Sequence, residues 1–149
     1  MKHYHAPMHT AEHILNQTMV RFFDCERSFT NHLEKKKSKC DYHFSRPLTQ
    51  EEEQKIEDQV NRVIYTGWDV VEEYLNMETA SEQFDLSGIP GLNNQQVRLI
   101  KIGDYDVCPC IGHHVTNTLE IGTFKITTTS YKNGVLRIRF KLLDRNTSH

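Results

Sequence analysis

Two pairs of soft-metal donors, far apart in the sequence, set the strongest limit on how this chain can fold. His9 and His13 stand four residues apart, and Cys110 and His114 repeat that spacing about a hundred residues later. Imidazole and thiolate are the ligand types of zinc. If one ion takes all four donors, a helix early in the chain must meet a loop late in it. On a helix, the i, i+4 spacing puts His9 and His13 on one face, one turn apart. Cys110-Ile111-Gly112-His113-His114 leaves three residues between thiolate and imidazole, enough for a Gly-bearing loop to turn back.

Each half is weak alone. Nine histidines among 149 residues make chance i, i+4 pairs expected. His5 also lies four before His9, but Pro7 between them places His5 outside the helix. Cys108 can stand in for Cys110, and His113 for His114. The competing reading makes Cys110 a small buried hydrophobe and the histidines polar surface. His9-Thr10-Ala11-Glu12-His13 also fits H-x-x-E-H, an inverted zinc-peptidase pattern with Glu12 as general base. Such peptidases need a further acidic ligand and a cleft from a larger chain.

Periodicity supplies the frame. Ile14, Leu15, Thr18, Met19 and Phe22 recur at helical spacing over residues 8–23, with Pro7 suited to the first turn. A second helix starts at Thr49, with Glu52 completing a capping box, and carries Ile56, Val60, Val63 and Ile64 before Gly67 ends it. Residues 28–33 and 40–45 flank a lysine turn as a hairpin. Strands are expected at 68–75 and 97–102 and a short helix at 80–84. Segments 121–130 and 135–143 flank Asn133-Gly134, a strong hairpin signal. The pattern is α+β, an antiparallel sheet with helices packed on it; the strand order is not legible.

The length suits one domain with one core. Apolar residues at 37% and charged residues at 26% indicate a globular chain. No apolar run is long enough to cross a bilayer, and the first five residues lack the apolar stretch of a secretory signal. A cytoplasmic location is therefore expected, with Cys25, Cys40, Cys108 and Cys110 as thiols or metal ligands. No membrane partner is expected. No P-loop pattern occurs, so no ATP is expected either. A net charge of −2 is not the basic balance of a protein that binds long nucleic acid mainly through phosphates. Such a partner would need local patches, and two stand out: Lys35, Lys36, Lys37 and Lys39, and Arg137, Arg139, Lys141 and Arg145. The second set alternates with Ile138 and Phe140, as on the outward face of a half-buried strand.

Together the half-sites resemble the second additional domain of threonyl- and alanyl-tRNA synthetases, the editing domain. That family carries H-x-x-x-H on a helix and C-x-x-x-H about a hundred residues on, here His9 and His13 in HTAEHIL and Cys110 and His114 in CIGHH. The alanyl branch is also resembled by Leu119-Glu120-Ile121-Gly122, Phe124-Lys125-Ile126 and Gly134-Val135-Leu136-Arg137-Ile138, and by Arg46-Pro47-Leu48-Thr49 leading into the acidic helix. The likeness runs from about residue 8 to 144, so residues 1–149 are expected to be a single editing domain of the short freestanding kind. The familiar Gly-Gly-Thr inside C-x-x-x-H is Ile111-Gly112-His113 here. The resemblance implies one zinc held by His9, His13, Cys110 and His114, and hydrolysis of the ester joining a wrong amino acid, serine or glycine, to alanine tRNA. It also implies a site for mischarged tRNA, and it sets Thr30 near where a family hydroxyl recognises serine. The residue-level alternative for Thr30 is a strand threonine with β propensity.

Overall fold

The computed structural model describes residues 5–86 and 96–144. Helix α1 spans Ala6–Phe23, with Pro in its first turn and His5 as the N-cap residue, outside the helix. Strands β1 (Thr30–Leu33) and β2 (Ser38–His43) form the first hairpin. Helix α2 (Gln50–Thr66) leads to β3 (Val70–Asn76) and the short α3 (Met77–Gln83). Then come β4 (Gln96–Ile102), β5 (Asp106–Pro109), a 3-10 turn at Thr118–Glu120, β6 (Thr123–Lys132) and β7 (Val135–Leu143).

The α+β class holds, and the strands divide between two antiparallel sheets where the sequence suggests one. One sheet has the order β1-β2-β7-β6 and the other β3-β4-β5. The added element is β5, four residues that end in Pro109 and carry no alternation of their own. It becomes a strand by pairing with β4, Ile100 opposite Cys108 and Ile102 opposite Asp106.

Both long helices follow their patterns. Thr49 and Glu52 exchange the two bonds of a capping box, and Arg46 pairs with Glu52 at 2.8 Å. The α2 stripe of Ile56, Val60, Val63 and Ile64 is buried. It joins Met8, Ala11, Ile14, Leu15 and Met19 of α1 and the inner faces of β2, β6 and β7 in one core. The expected Asn133-Gly134 turn closes β6 onto β7 with φ of 51° and 82°, angles that few residues other than Asn and Gly accept. The lysine turn is tighter than expected, because Ser38 belongs to β2 and its hydroxyl ties back to Glu34. A smaller cluster of Ala80, Val97 and Leu99 seats α3 on the second sheet.

The loop after β5 is fastened at both ends. Cys110 N–H donates to the Arg98 carbonyl at 3.2 Å, and Val70 N–H donates to the Thr116 carbonyl at 2.9 Å. Among the described residues, no helix is long and apolar enough to cross a membrane. Arg145 lies outside the described residues.

The Thr49 cap holds the start of α2, away from the donor loop. Thr49→Ala is expected to lower stability by about 1 kcal/mol, read as an earlier urea midpoint, with metal content unchanged. An unaltered midpoint would show that the box contributes nothing.

Candidate metal centre

Helix α1 turns His9 and His13 inward, and the strand-to-loop junction after β5 presents Cys110 and then His114 to them. One donor atom from each of the four lies within 4.8 Å of the others. The His9 and His114 rings stack with centroids 4.2 Å apart, and His13 meets His114 edge-on at 4.5 Å. His9 and His13 are buried; Cys110 and His114 are half-buried. Of the alternatives, the cluster includes Cys110 and His114, and not Cys108 or His113. Cys108 points elsewhere, donating to its neighbour's carbonyl, and burial pushes its thiol up to about 12. His113 contributes its carbonyl, 3.2 Å from His9 Nδ1, and not its ring.

Neighbouring groups set the ring orientations. With the His113 carbonyl on Nδ1, His9 keeps Nε2 for the cluster, 3.4 Å from Cys110 Sγ. Thr10 Oγ1 donates to the Ala6 carbonyl and accepts from Val115 N–H, so His114 Nδ1–H donates to it at 3.0 Å. His114 Nε2 is then left as a buried nitrogen without a hydrogen-bond partner. An acceptor nitrogen buried beside a thiolate and two more imidazoles suits a metal ion.

The loop is shaped for close approach. A Cβ on Gly112 would stand 2.2 Å from His9 Cε1, so the loop closes on the ring only because that position is glycine. Gly112 N–H donates to Cys110 Sγ at 3.4 Å. Arg98, on β4, donates to the carbonyls of Cys110 at 3.0 Å and Gly112 at 2.8 Å, while Glu72 holds its other nitrogen at 2.7 Å.

Behind His13 lies a buried carboxylate that nothing in the sequence pattern marks. Asp106 sits 3.7 Å from His13 Nδ1, accepts from Arg27 at 2.8 Å and accepts from Gln17 at 2.9 Å. Burial opposes its ionisation, but His13 and Arg27 outweigh burial and hold the carboxyl down at about 2. Burial likewise opposes protonation of His13, and Asp106, Cys110 and Glu12 overcome it, raising the ring to about 9. Burial resists ionisation of Cys110, yet His114, His13 and His9 bring its thiol down to about 3. Thr10, Arg98, Arg27 and Asp106 are ordinary polar residues in the sequence; only their packing against α1 and the loop reveals them.

The centre opens into a cleft of about 520 Å³, whose polar lining includes Glu12, Asn16, Arg27, Ser28 and Asn31. Asn16 binds the Ser28 N–H with its oxygen and Glu12 with its amide nitrogen. Ser28 donates to Asn31. Thr30 is not brought to the cleft. Successive strand residues face opposite ways; Asn31 and Leu33 take the cleft side, and Thr30 turns outward to donate to Asp41 at 2.8 Å.

The family model described as the threonyl and alanyl tRNA synthetase second additional domain matches residues 97–139. The chain is 36% identical over 114 residues to an alanine–tRNA ligase of Aeropyrum pernix, covering 73% of this chain and 12% of that protein. To an alanine–tRNA ligase of Streptococcus suis it is 34% identical over 119 residues, 79% of this chain and 14% of that protein. To one of Microcystis aeruginosa it is 32% identical over 132 residues, 87% and 15%. The chain thus spans 12–15% of the length of these relatives.

Two outcomes follow from the geometry. Gly112→Ala should displace the His9 ring and weaken metal binding about tenfold or more, the range for a disturbed metal shell, read by competition with a chromophoric chelator. Unchanged affinity would mean that the ring does not ligate. Because His13 carries a proton below about 9 in the metal-free centre, metal uptake near pH 7 should expel it. Affinity should then fall about tenfold per pH unit of acidification below 9 and level off above. Titration calorimetry in two buffers of different ionisation enthalpy measures the released proton directly; equal heats in both would rule the release out.

Proposed function

Because the chain belongs to the family of the threonyl and alanyl tRNA synthetase second additional domain, we propose that it is a zinc-dependent deacylase acting on mischarged alanine tRNA. Its reaction is hydrolysis of the ester that joins serine or glycine to the tRNA. The observation that carries this reading is a four-donor cluster that faces a cleft instead of being sealed in the core.

His9, His13, Cys110 and His114 would hold the zinc, and one thiolate with three imidazoles is a donor set zinc accepts. Bound zinc would supply Lewis acidity toward the amino or carbonyl group of the substrate. The rest falls to side chains of this chain. Asp106 and Arg27 keep His13 oriented. The Glu12 carboxylate, buried at the cleft wall, faces the space beside the ligands and suits an α-ammonium group. The Ser28 hydroxyl and the Asn31 amide stand where a substrate hydroxyl can be met.

Serine exceeds alanine by one hydroxyl. An apolar activation pocket rejects an added hydroxyl poorly, and a second hydrolytic site answers that error. One hydrogen bond contributes about 0.5–1.5 kcal/mol, a several-fold preference. In this reading that bond comes from Ser28 or Asn31. Thr30, with its hydroxyl committed to Asp41, acts only on strand geometry.

A second reading has its own support. Four protein donors complete a tetrahedral ion, as in a structural site, and the chain would then be a zinc-containing tRNA-binding module without turnover.

Single-turnover deacylation of matched Ser- and Ala-charged alanine tRNA separates the two. Faster release of serine is expected, with Ser28→Ala lowering the preference several-fold and Thr30→Val leaving it unchanged. Cys110→Ala should stop turnover and reduce zinc, by elemental analysis, from about one per chain. Equal cleavage of both substrates, or cleavage of neither at micromolar protein, would sink the deacylase reading. Full zinc in Cys110→Ala and His9→Ala would sink the ligand assignment.

A further inference from the structure

The four-stranded sheet turns one face to the core and the other outward. Leu136, Ile138 and Phe140 of β7 are buried, as are Cys40 and Tyr42 of β2. Alternation then puts Arg137, Arg139 and Lys141, with Lys39 and Asp41, on the outward face. The register sets Lys39 directly opposite Arg139 and Lys125 directly opposite Lys141. Like charges in facing positions destabilise a sheet.

The acids of this face are already engaged. Asp41 takes Arg137 at 2.7 and 3.0 Å, and Glu34 takes His32 at 2.8 Å. Lys125 reaches Glu57 at 3.9 Å. Among the described residues, neither Lys39 nor Arg139 has an acidic group within ion-pair distance; Arg139 donates to the Thr128 hydroxyl at 3.3 Å. Lys37, Lys39 and Arg139 meet around a hollow of about 300 Å³, together with His32, Ser38, Thr127 and Glu34, whose carboxylate is turned to His32. Thr127 reaches it because β6 slips register between Ile126 and Thr128, and a bulge re-aims the extra side chain. Two basic runs about a hundred residues apart in the sequence thus share one seat.

The seat lies back to back with the cleft. On the edge strand β1, Asn31 and Leu33 line the cleft, and His32 between them lines the hollow. One strand separates the two.

We propose that this hollow and the cationic sheet face around it seat the phosphates of an RNA duplex whose 3′ end turns round the β1 edge into the cleft. The assignment of RNA rests on the tRNA reading above. Repulsion between facing cations is relieved when a phosphate sits between them, and a row of cations suits a chain of phosphates better than a single anion. The β1 edge is then the step between backbone contact and ester.

The test is binding of uncharged alanine tRNA to the full chain across a salt series, a measurement independent of ester hydrolysis. Failure of deacylation would leave it standing, and unchanged binding by the double variant below would leave deacylation standing. The double variant Lys39→Gln/Arg139→Gln should bind about tenfold more weakly, and its slope of log affinity against log salt should flatten by about 1.5, as expected for two lost phosphate contacts. Its thermal midpoint should be equal or higher, since a facing pair of like charges is removed. Lys55→Gln, on exposed α2, should bind as the wild type does. Wild-type affinity and slope in the double variant would overturn the proposal, and so would absence of tRNA binding by the wild type. Duplex DNA bound as tightly as the tRNA would overturn the assignment to RNA.

Discussion

The seam between α1 and the segment from β5 through the donor loop governs everything else in this structure. Its contacts recur along one stripe of the helix. His9 and Thr10 meet His113, His114 and Val115, His13 and Gln17 meet Asp106, and Thr18 and Arg21 meet Tyr105. His9, His13, Gln17 and Arg21 follow i, i+4 spacing, and Thr10 and Thr18 sit beside it, so a single face is committed to polar partners. The neighbouring face, with Met8, Ala11, Leu15 and Met19, enters the apolar core. Buried polar groups cost stability unless each is paired. Such a seam therefore tolerates little sliding: a shift of one turn would part the Asp106, Tyr105 and Val115 contacts together. The donors converge because the seam has one register, and the loop then closes on His9 only through Gly112.

Orientation of the donors before any ion arrives follows from the same seam. Three rings are held by three different kinds of partner: a backbone carbonyl for His9, a threonine hydroxyl for His114 and a buried carboxylate for His13. Asp106 is itself held by Arg27 and Gln17, which ties the centre to the segment leading into β1. Arg98 fixes the loop from the opposite side and draws on Glu72 of β3 to do so. All three strands of the β3-β4-β5 sheet thereby support one centre. Ring orientation set by outer partners is what gives a metal site its geometry.

Much of this was legible in the residues. The α1 and α2 boundaries, the capping box, the Asn133-Gly134 hairpin and the four donors all rest on local chemistry or on spacing along one element. Pro7 sufficed to set His5 apart from His9. What the sequence withheld depends on pairing across space. Asp106 is one carboxylate among 20 acidic residues, and nothing local separates it from exposed ones. β5 is too short to show alternation and exists as a strand through β4. Whether Cys108 or Cys110 joined the cluster turned on the angle at which the chain leaves β5. Thr30 missed the cleft because a resemblance carries a position approximately, while a pleated strand is sensitive to a single residue.

That sensitivity makes β1 the pivot between the two halves of the proposed function. Its odd residues Asn31 and Leu33 belong to the cleft, and its even residues Thr30 and His32 belong to the outward face. The alternation that removes Thr30 from the centre also delivers His32 to the basic hollow. Thr30 keeps Asp41 occupied together with Arg137. Asp41 is thus withheld from Lys39, its neighbour but one on the same face of β2, and the facing pair Lys39 and Arg139 stays open to an external anion. A one-residue slip of β1 would exchange the two sets. Cleft shape and outward charge are therefore not independent features; one register, set by Thr30 opposite Asp41 and Asn31 opposite Cys40, determines both.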